Sequence, residues 1–146
     1  MGGTWRDNTY PGCACDVPVH WYSLSTELKP DWTTYYANQP EILDYWKVLA
    51  KKHHLYSKIR FETTVDCATW NEEKQHWQLE ISHHGQKETF TAEIVISAAG
   101  GFVLPGYAAI KGMNNFQGPM FHSARWDYNV DLKGKTVGVI GNGCSA

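Results

Sequence analysis

The stretch K-G-K-T-V-G-V-I-G-N-G-C-S-A, Lys133 to Ala146, decides how the rest of the chain is read. A short apolar strand is expected over Val137 to Ile140, and it runs into G-N-G-C-S-A. That hexapeptide fits the G-x-G-x-x-A fingerprint of a strand-turn-helix phosphate site. Gly141 permits the tight turn, Gly143 lets the backbone approach a pyrophosphate, and Ala146 allows close packing of the helix that follows. The N-terminal amides of such a helix hold the phosphate charge. With Ser145, these residues form the candidate dinucleotide turn. The helix itself would begin where the sequence stops, so the chain is expected to be cut in mid-motif.

Size and composition bound the answer. A chain of 146 residues, 42% hydrophobic and 19% charged, has the composition of one globular domain rather than a disordered segment. A formal net charge of -2 gives no basic surface for nucleic acid or an anionic membrane, so small-molecule partners are expected. No apolar run approaches the roughly 20 residues of a membrane span, and the first residues, M-G-G-T-W-R-D-N, do not read as a signal peptide. A cytoplasmic setting follows by default. Cys13, Cys15, Cys67 and Cys144 lack the paired C-x-x-C spacing of zinc sites, and the histidines lack H-E-x-x-H. Free thiols and no metal are expected. The pairs His53-His54 and His83-His84 read as surface residues at a helix end and a hairpin turn.

Residues 1 to 37 carry many aromatics and no sustained period, and are expected to be irregular. Asn38 or Gln39 is placed to cap a helix with Pro40 in its first turn. Ile42, Tyr45, Trp46, Leu49 and His53 then recur at helical spacing to about Leu55. From Lys58 the period changes to two. Three strands in an antiparallel meander, about 58–92, are separated by N-E-E-K and by H-H-G-Q-K. The apolar run E-I-V-I-S-A-A-G-G, Glu93 to Gly101, suits a buried parallel strand. Residues 101 to 132 form a connection rich in Gly, Pro and aromatics. The fold class is α/β, built around nucleotide-binding sheets with an inserted meander.

Three stretches together resemble one family, the flavin-dependent class B monooxygenases, of the Baeyer-Villiger type. G-G-T-W-R-D-N-T-Y-P-G-C-A-C-D, Gly2 to Asp16, is similar to the family's segment along the flavin. F-Q-G-P-M-F-H-S-A-R-W-D, Phe116 to Asp127, fits the F-x-G-x-x-x-H-x-x-x-W-[P/D] signature at every fixed position. G-N-G-C-S-A is similar to the family's second dinucleotide fingerprint. The resemblance implies two dinucleotide-binding domains. Residues 1–100 would be part of the FAD domain, 101–133 the connection between domains, and 134–146 the start of the NADP domain. It also implies FAD and NADPH as cofactors, and one oxygen atom inserted from O2 into a ketone through a peroxyflavin.

Carried over position by position, Thr4, Trp5, Arg6, Asp7, Asp16, Tyr22 and Val65 would meet FAD. Ala14, Cys15 and Asp16 would line the nicotinamide side, with Gly141, Gly143, Ser145 and Ala146 at the NADP phosphates. Asp16 is the implied active-site acid. Trp5 is suited to pack on a flat cofactor, although by itself it would read as a core aromatic. Phe116, Gly118, His122, Trp126 and Asp127 would couple the two domains. In that reading Gly118 gives backbone freedom, while Phe116 and Trp126 anchor the loop by burial. His122 would act as a linker rather than a general base.

The family's first fingerprint would precede Gly2, where Met1 stands, and the remainder of the NADPH domain would follow Ala146. The isolated chain is therefore expected to bind FAD poorly and to be inactive. Nitrogen- or sulfur-oxidising enzymes of the same class are the alternative chemistry. A non-catalytic remnant or interaction module is the alternative of another class, and a carbohydrate-binding domain is disfavoured by the Gly-x-Gly turn. Substrate, oligomeric state and the choice between NAD and NADP are not legible.

Overall fold

A computed structural model describes residues 1–145; Ala146, the last residue of the expected turn, lies outside the described residues. The chain divides into two compact units, Met1–Lys52 with Gly100–Ala146, and His53–Ala99.

The first unit is organised by one long helix. Besides α1 (Thr4–Asp7), it carries α2 (Gln39–Lys52), which starts where the Asn38 carbonyl accepts from the amides of Glu41 and Ile42 at 3.1 and 3.2 Å. Pro40 lies in the first turn, where a missing N–H costs nothing. Ile42, Tyr45 and Leu49 line one face and are buried, with Trp46 partly buried beside them. Lys51 and Lys52 close the last turn, favourable to the helix dipole. The helix ends three residues before the expected Leu55. There the chain passes through His54 at φ +52° and enters a separate 3-10 turn, Leu55–Lys58.

Against α2 pack Trp5, Cys13, Cys15, Val19, Trp32 and Ala37, all from the segment expected to be irregular. That segment also contains α1 and a 3-10 turn at Val19–Tyr22, two short elements that leave no periodic trace. The Tyr45 hydroxyl fastens the intervening loop. It accepts from the Leu24 amide at 2.9 Å and donates to the Glu27 carbonyl at 2.8 Å.

The second unit contains the meander. Its strands β1 (Thr63–Asn71), β2 (His76–His83) and β3 (Gln86–Ala92) pair antiparallel in the order β1-β2-β3. The β2–β3 loop is the two-residue His84-Gly85, both at positive φ (48° and 79°), as a type I′ hairpin turn requires. A bulge between Val65 and Cys67 shifts the β1 register, so that Val65 faces Ile81 and Trp70 faces Trp77. One apolar face results, carrying Val65, Ala68, Trp70, Leu79, Ile81 and Phe90. Of these only Ile81 is buried.

Two expected strands do not form. Ile94 and Ile96 are 79% and 86% exposed, and the run from Glu93 to Gly101 has no strand partner. Likewise Val139 and Ile140 are 65% and 67% exposed, and Val137 to Ile140 forms no strand. A parallel strand needs neighbours on its edges, and none of the described residues supplies one. The buried parallel strand expected over Glu93 to Gly101 and the short apolar strand expected over Val137 to Ile140 are therefore corrected to exposed, unpaired segments. Among the described residues no helix is long and apolar enough to cross a membrane.

Candidate functional site

The best-defined constellation lies within the first unit, where the Thr9–Asp16 loop meets the Gly141–Ser145 turn. Its rigid side is set by local chemistry. In Tyr10-Pro11-Gly12-Cys13, proline stands second and Gly12 adopts φ +77° in third place, with the Cys13 amide donating to the Tyr10 carbonyl at 3.0 Å. This is the pattern of a type II turn. The following residues are clamped in both directions. The Gln39 amide donates to the Cys13 carbonyl at 2.9 Å, the Cys15 amide donates to the Ala37 carbonyl at 3.0 Å, and Ala14 bridges Asn38. Asp16 thus leaves a segment anchored to the start of α2.

Across from it, the Cys144 thiol donates to Asp16 Oδ2 at 3.0 Å. That hydrogen bond holds the Asp16 carboxyl below the ordinary carboxylate range, and the same contact pushes the Cys144 thiol up. The adjacent Ser145 Oγ accepts from the Tyr10 hydroxyl at 2.9 Å, and the Tyr128 hydroxyl donates to the Thr9 carbonyl. Burial raises the Tyr10 phenol, so its proton stays available for donation. Tyr10, Cys144 and Tyr128 were not singled out from the sequence. Only the place of Tyr10 beside Pro-Gly signals a fixed position; a contact spanning 128 positions leaves no local pattern.

The turn leaves its backbone accessible. Gly141 adopts φ +127°, which side chains resist, and a Cβ placed on Gly143 would enter open space, so the backbone there is open to approach. Residues assigned to the flavin are more dispersed. Thr4 is half-buried, and Arg6 is exposed and pairs with Asp7 at 2.6 Å. Their hydrogen bond lowers the Asp7 carboxyl and raises the Arg6 guanidinium. Trp5 belongs to the core at 9% exposure, with Tyr22 edge-on at 5.5 Å and Gln39 Nε2 donating to its carbonyl. Cys15 is buried, and its thiol donates to the Val17 carbonyl at 3.1 Å; Ala14 is half-buried. Val65 stands on β1 in the second unit, 57% exposed.

The Phe116 to Asp127 signature is corrected in detail. Phe116 is 63% exposed and anchors nothing by burial, whereas Trp126 is half-buried with Phe121 edge-on at 5.1 Å. Gly118 is not in the left-handed region. Its constraint is space, because a Cβ would come within 2.8 Å of the Phe116 ring. His122 has a structural partner: its Nδ1 accepts from the Ala124 amide at 3.0 Å and caps the 3-10 turn Ser123–Arg125. Asp127 Oδ1 accepts from the Asn129 amide at 2.9 Å and closes the next turn. The signature is tied to the N-terminal segment through Phe102 and Val103. Asn8 Nδ2 donates to the Phe102 carbonyl at 3.1 Å, and an Arg125 guanidinium nitrogen donates to the Val103 carbonyl at 3.0 Å.

The geometry thus brings the Asp16 carboxylate against the Gly-x-Gly turn, and comparison with known proteins says which family carries such a chain. The description "flavin-binding monooxygenase-like" matches residues 22–146, and the chain belongs to that family. A Baeyer-Villiger monooxygenase of Pseudomonas aeruginosa is 47% identical over 146 residues, which is all of this chain and 27% of the relative. A crystal structure of cyclohexanone monooxygenase with ε-caprolactone bound superimposes with a TM-score of 0.85 at 32% identity, covering 99% of this chain and 28% of that one. A complex of OTEMO with FAD and NADP gives 0.81 at 33% identity, over 99% of this chain and 29% of that chain. The fold is thus a region of the cyclohexanone monooxygenase fold containing a three-stranded antiparallel sheet. The chain spans about a quarter of the length of the relatives it matches.

Proposed function

We propose that this chain serves an FAD- and NADPH-dependent Baeyer-Villiger monooxygenase, which inserts one atom of O2 into a ketone to give an ester or lactone. In this reading residues 1–100 lie on the flavin side, 101–133 connect, and 134–146 open the NADP side. The observation that carries it is the 3.0 Å contact between Asp16 and Cys144, which joins the flavin-type segment to the dinucleotide turn. The names of the relatives favour ketone oxidation over nitrogen or sulfur oxidation.

When bound, the two cofactors supply hydride transfer and oxygen activation, chemistry that side chains lack. Gly141, Gly143 and Ser145 would receive the NADP phosphates on exposed backbone and a hydroxyl. Asp16, ionised through neutral pH, accepts hydrogen bonds and donates none. It would take the amide donors of a nicotinamide or a cationic side chain, and so orient the ring. Thr4, Arg6 and Asp7 would supply polar contacts to FAD. Trp5 and Tyr22 would back that site from the core.

Because the chain spans about a quarter of its relatives' length and is by itself expected to be inactive, the test supplies the full-length protein that carries it with FAD, NADPH and cyclohexanone under 18O2. Lactone carrying one labelled oxygen, and a fall of at least about 100-fold in Asp16→Ala, support the reading. Label appearing only in a sulfoxide or N-oxide from sulfide or amine substrates would move the assignment to the sister chemistry. Absence of NADP binding by calorimetry would remove both.

A further inference from the structure

Asp16 has two oxygens and an open surrounding, yet it meets the turn through one defined contact. The reason lies one residue further along the turn. Cys144 and Ser145 are adjacent, and each is engaged by the Thr9–Asp16 loop, Cys144 by Asp16 and Ser145 by Tyr10. Tyr10 is the better fixed partner. Its backbone opens the Pro-Gly turn, the next carbonyl back accepts from Tyr128, and the Cys13 beside it is buried in the core.

We propose that Tyr10 is a positioning residue for Asp16: by holding Ser145, its phenol sets the Gly141–Ser145 turn so that the Cys144 thiol meets one carboxylate oxygen and fixes it. The importance of Asp16 to the reaction rests on the function proposed above. The geometric claim does not. Tyr10 touches none of the groups that would react, so it acts only through the turn. The latch is compatible with binding, since the Ser145 oxygen accepts from Tyr10 while its own hydroxyl proton can be offered to a phosphate.

The readout is the Cys144 thiol, in the whole chain without cofactor. The titratable groups facing it are Asp16 and Tyr10, with Cys13 next to Tyr10. Asp16 holds the thiol protonated and slow to alkylate, since the thiolate is the nucleophile. Labelling by iodoacetamide is followed by mass spectrometry from pH 6 to 10, with exposed Cys67 as internal reference and buried Cys15 as reporter of an intact core, Cys13 being set aside because the Tyr10 hydroxyl meets its thiol. Tyr10→Phe keeps the ring and removes only the hydroxyl. It is expected to raise Cys144 labelling at pH 8 by roughly three- to tenfold relative to Cys67, and to move its pH midpoint down.

Asp16→Asn is expected to give the same shift, and the double variant no more than Asp16→Asn alone. Should Tyr10→Phe uncover Cys15, Ser145→Ala decides, because it removes the other half of the same bond from an exposed turn. Unchanged Cys144 labelling in the variant that keeps its core would overturn the proposal. Adding NADP separates the two claims. A changed Cys144 rate with NADP supports the functional reading, and no change counts against that reading while the Tyr10 result stands.

Discussion

At the residue scale, the Asp16–Cys144 pair makes a definite claim about pH. The Asp16 carboxyl is lowered in the folded chain, so its contribution is present above the unfolded value, about 3.9, and is lost as pH falls through the folded one. Cys144 is raised, so its contribution is present below the unfolded value, about 8.5, and is lost as pH rises through the folded one. Removing the thiol in Cys144→Ala is expected to lower stability only between those limits. Urea midpoints of the two proteins should converge at both acid and alkaline ends. A constant gap across the whole range would show that the bond carries no linkage. The sequence could nominate Asp16 through its motif, because Y-P-G before it fixes a turn. Its thiol partner was hidden, since nothing in G-N-G-C-S-A specifies which side chain the cysteine meets. Trp5 shows the opposite case: the flavin assignment came from the motif, while its apolar ring is used here by the core.

At the element scale, α2 and the hairpins were legible because each writes a period into the chain. Apolar positions at i, i+3 and i+7 predict one buried face, and Ile42, Tyr45 and Leu49 occupy it. Ile42 is fully buried, so Ile42→Ala is expected to cost about 2–5 kcal/mol in a denaturant melt. A loss below about 1 kcal/mol would mean that the core around Trp5 and Tyr45 collapses into the space. The hairpin turn offers a second case. Gly85 at φ +79° sits where an L side chain is strained, so Gly85→Ala is expected to cost roughly 1–2 kcal/mol. Its effect should appear in the β2 and β3 amides by NMR, not in α2. The β1 bulge was not legible, because strict alternation from Val65 would place Cys67 and Thr69 on the apolar face. Inserting Asp66 as the extra residue puts Ala68 and Trp70 there instead, and Ser82 donates its hydroxyl to the Asp66 carboxylate at that point.

At the scale of the whole molecule, the two misread strands carry the same physical lesson. The apolar runs around Ile94–Ile96 and Val137–Ile140 have the composition of buried parallel strands, and composition alone predicts burial. Burial, however, belongs to a pair of partners. With no described strand beside them, their amides have no ladder to join, and their side chains remain in water. Native-state hydrogen exchange reads this directly. The amides of β2, bonded on both sides, and those inside α2 are expected to be the most protected in their respective units. Those of residues 94–99 and 136–140 are expected to exchange at close to free-peptide rates. The two sets of segments should therefore differ by orders of magnitude in the same sample. Protection of 94–99 comparable to β2 would mean that this segment finds a strand partner in solution, by self-association or by repacking. A concentration series then separates these, since protection that falls on dilution requires a second chain and protection that does not fall requires a rearranged single one.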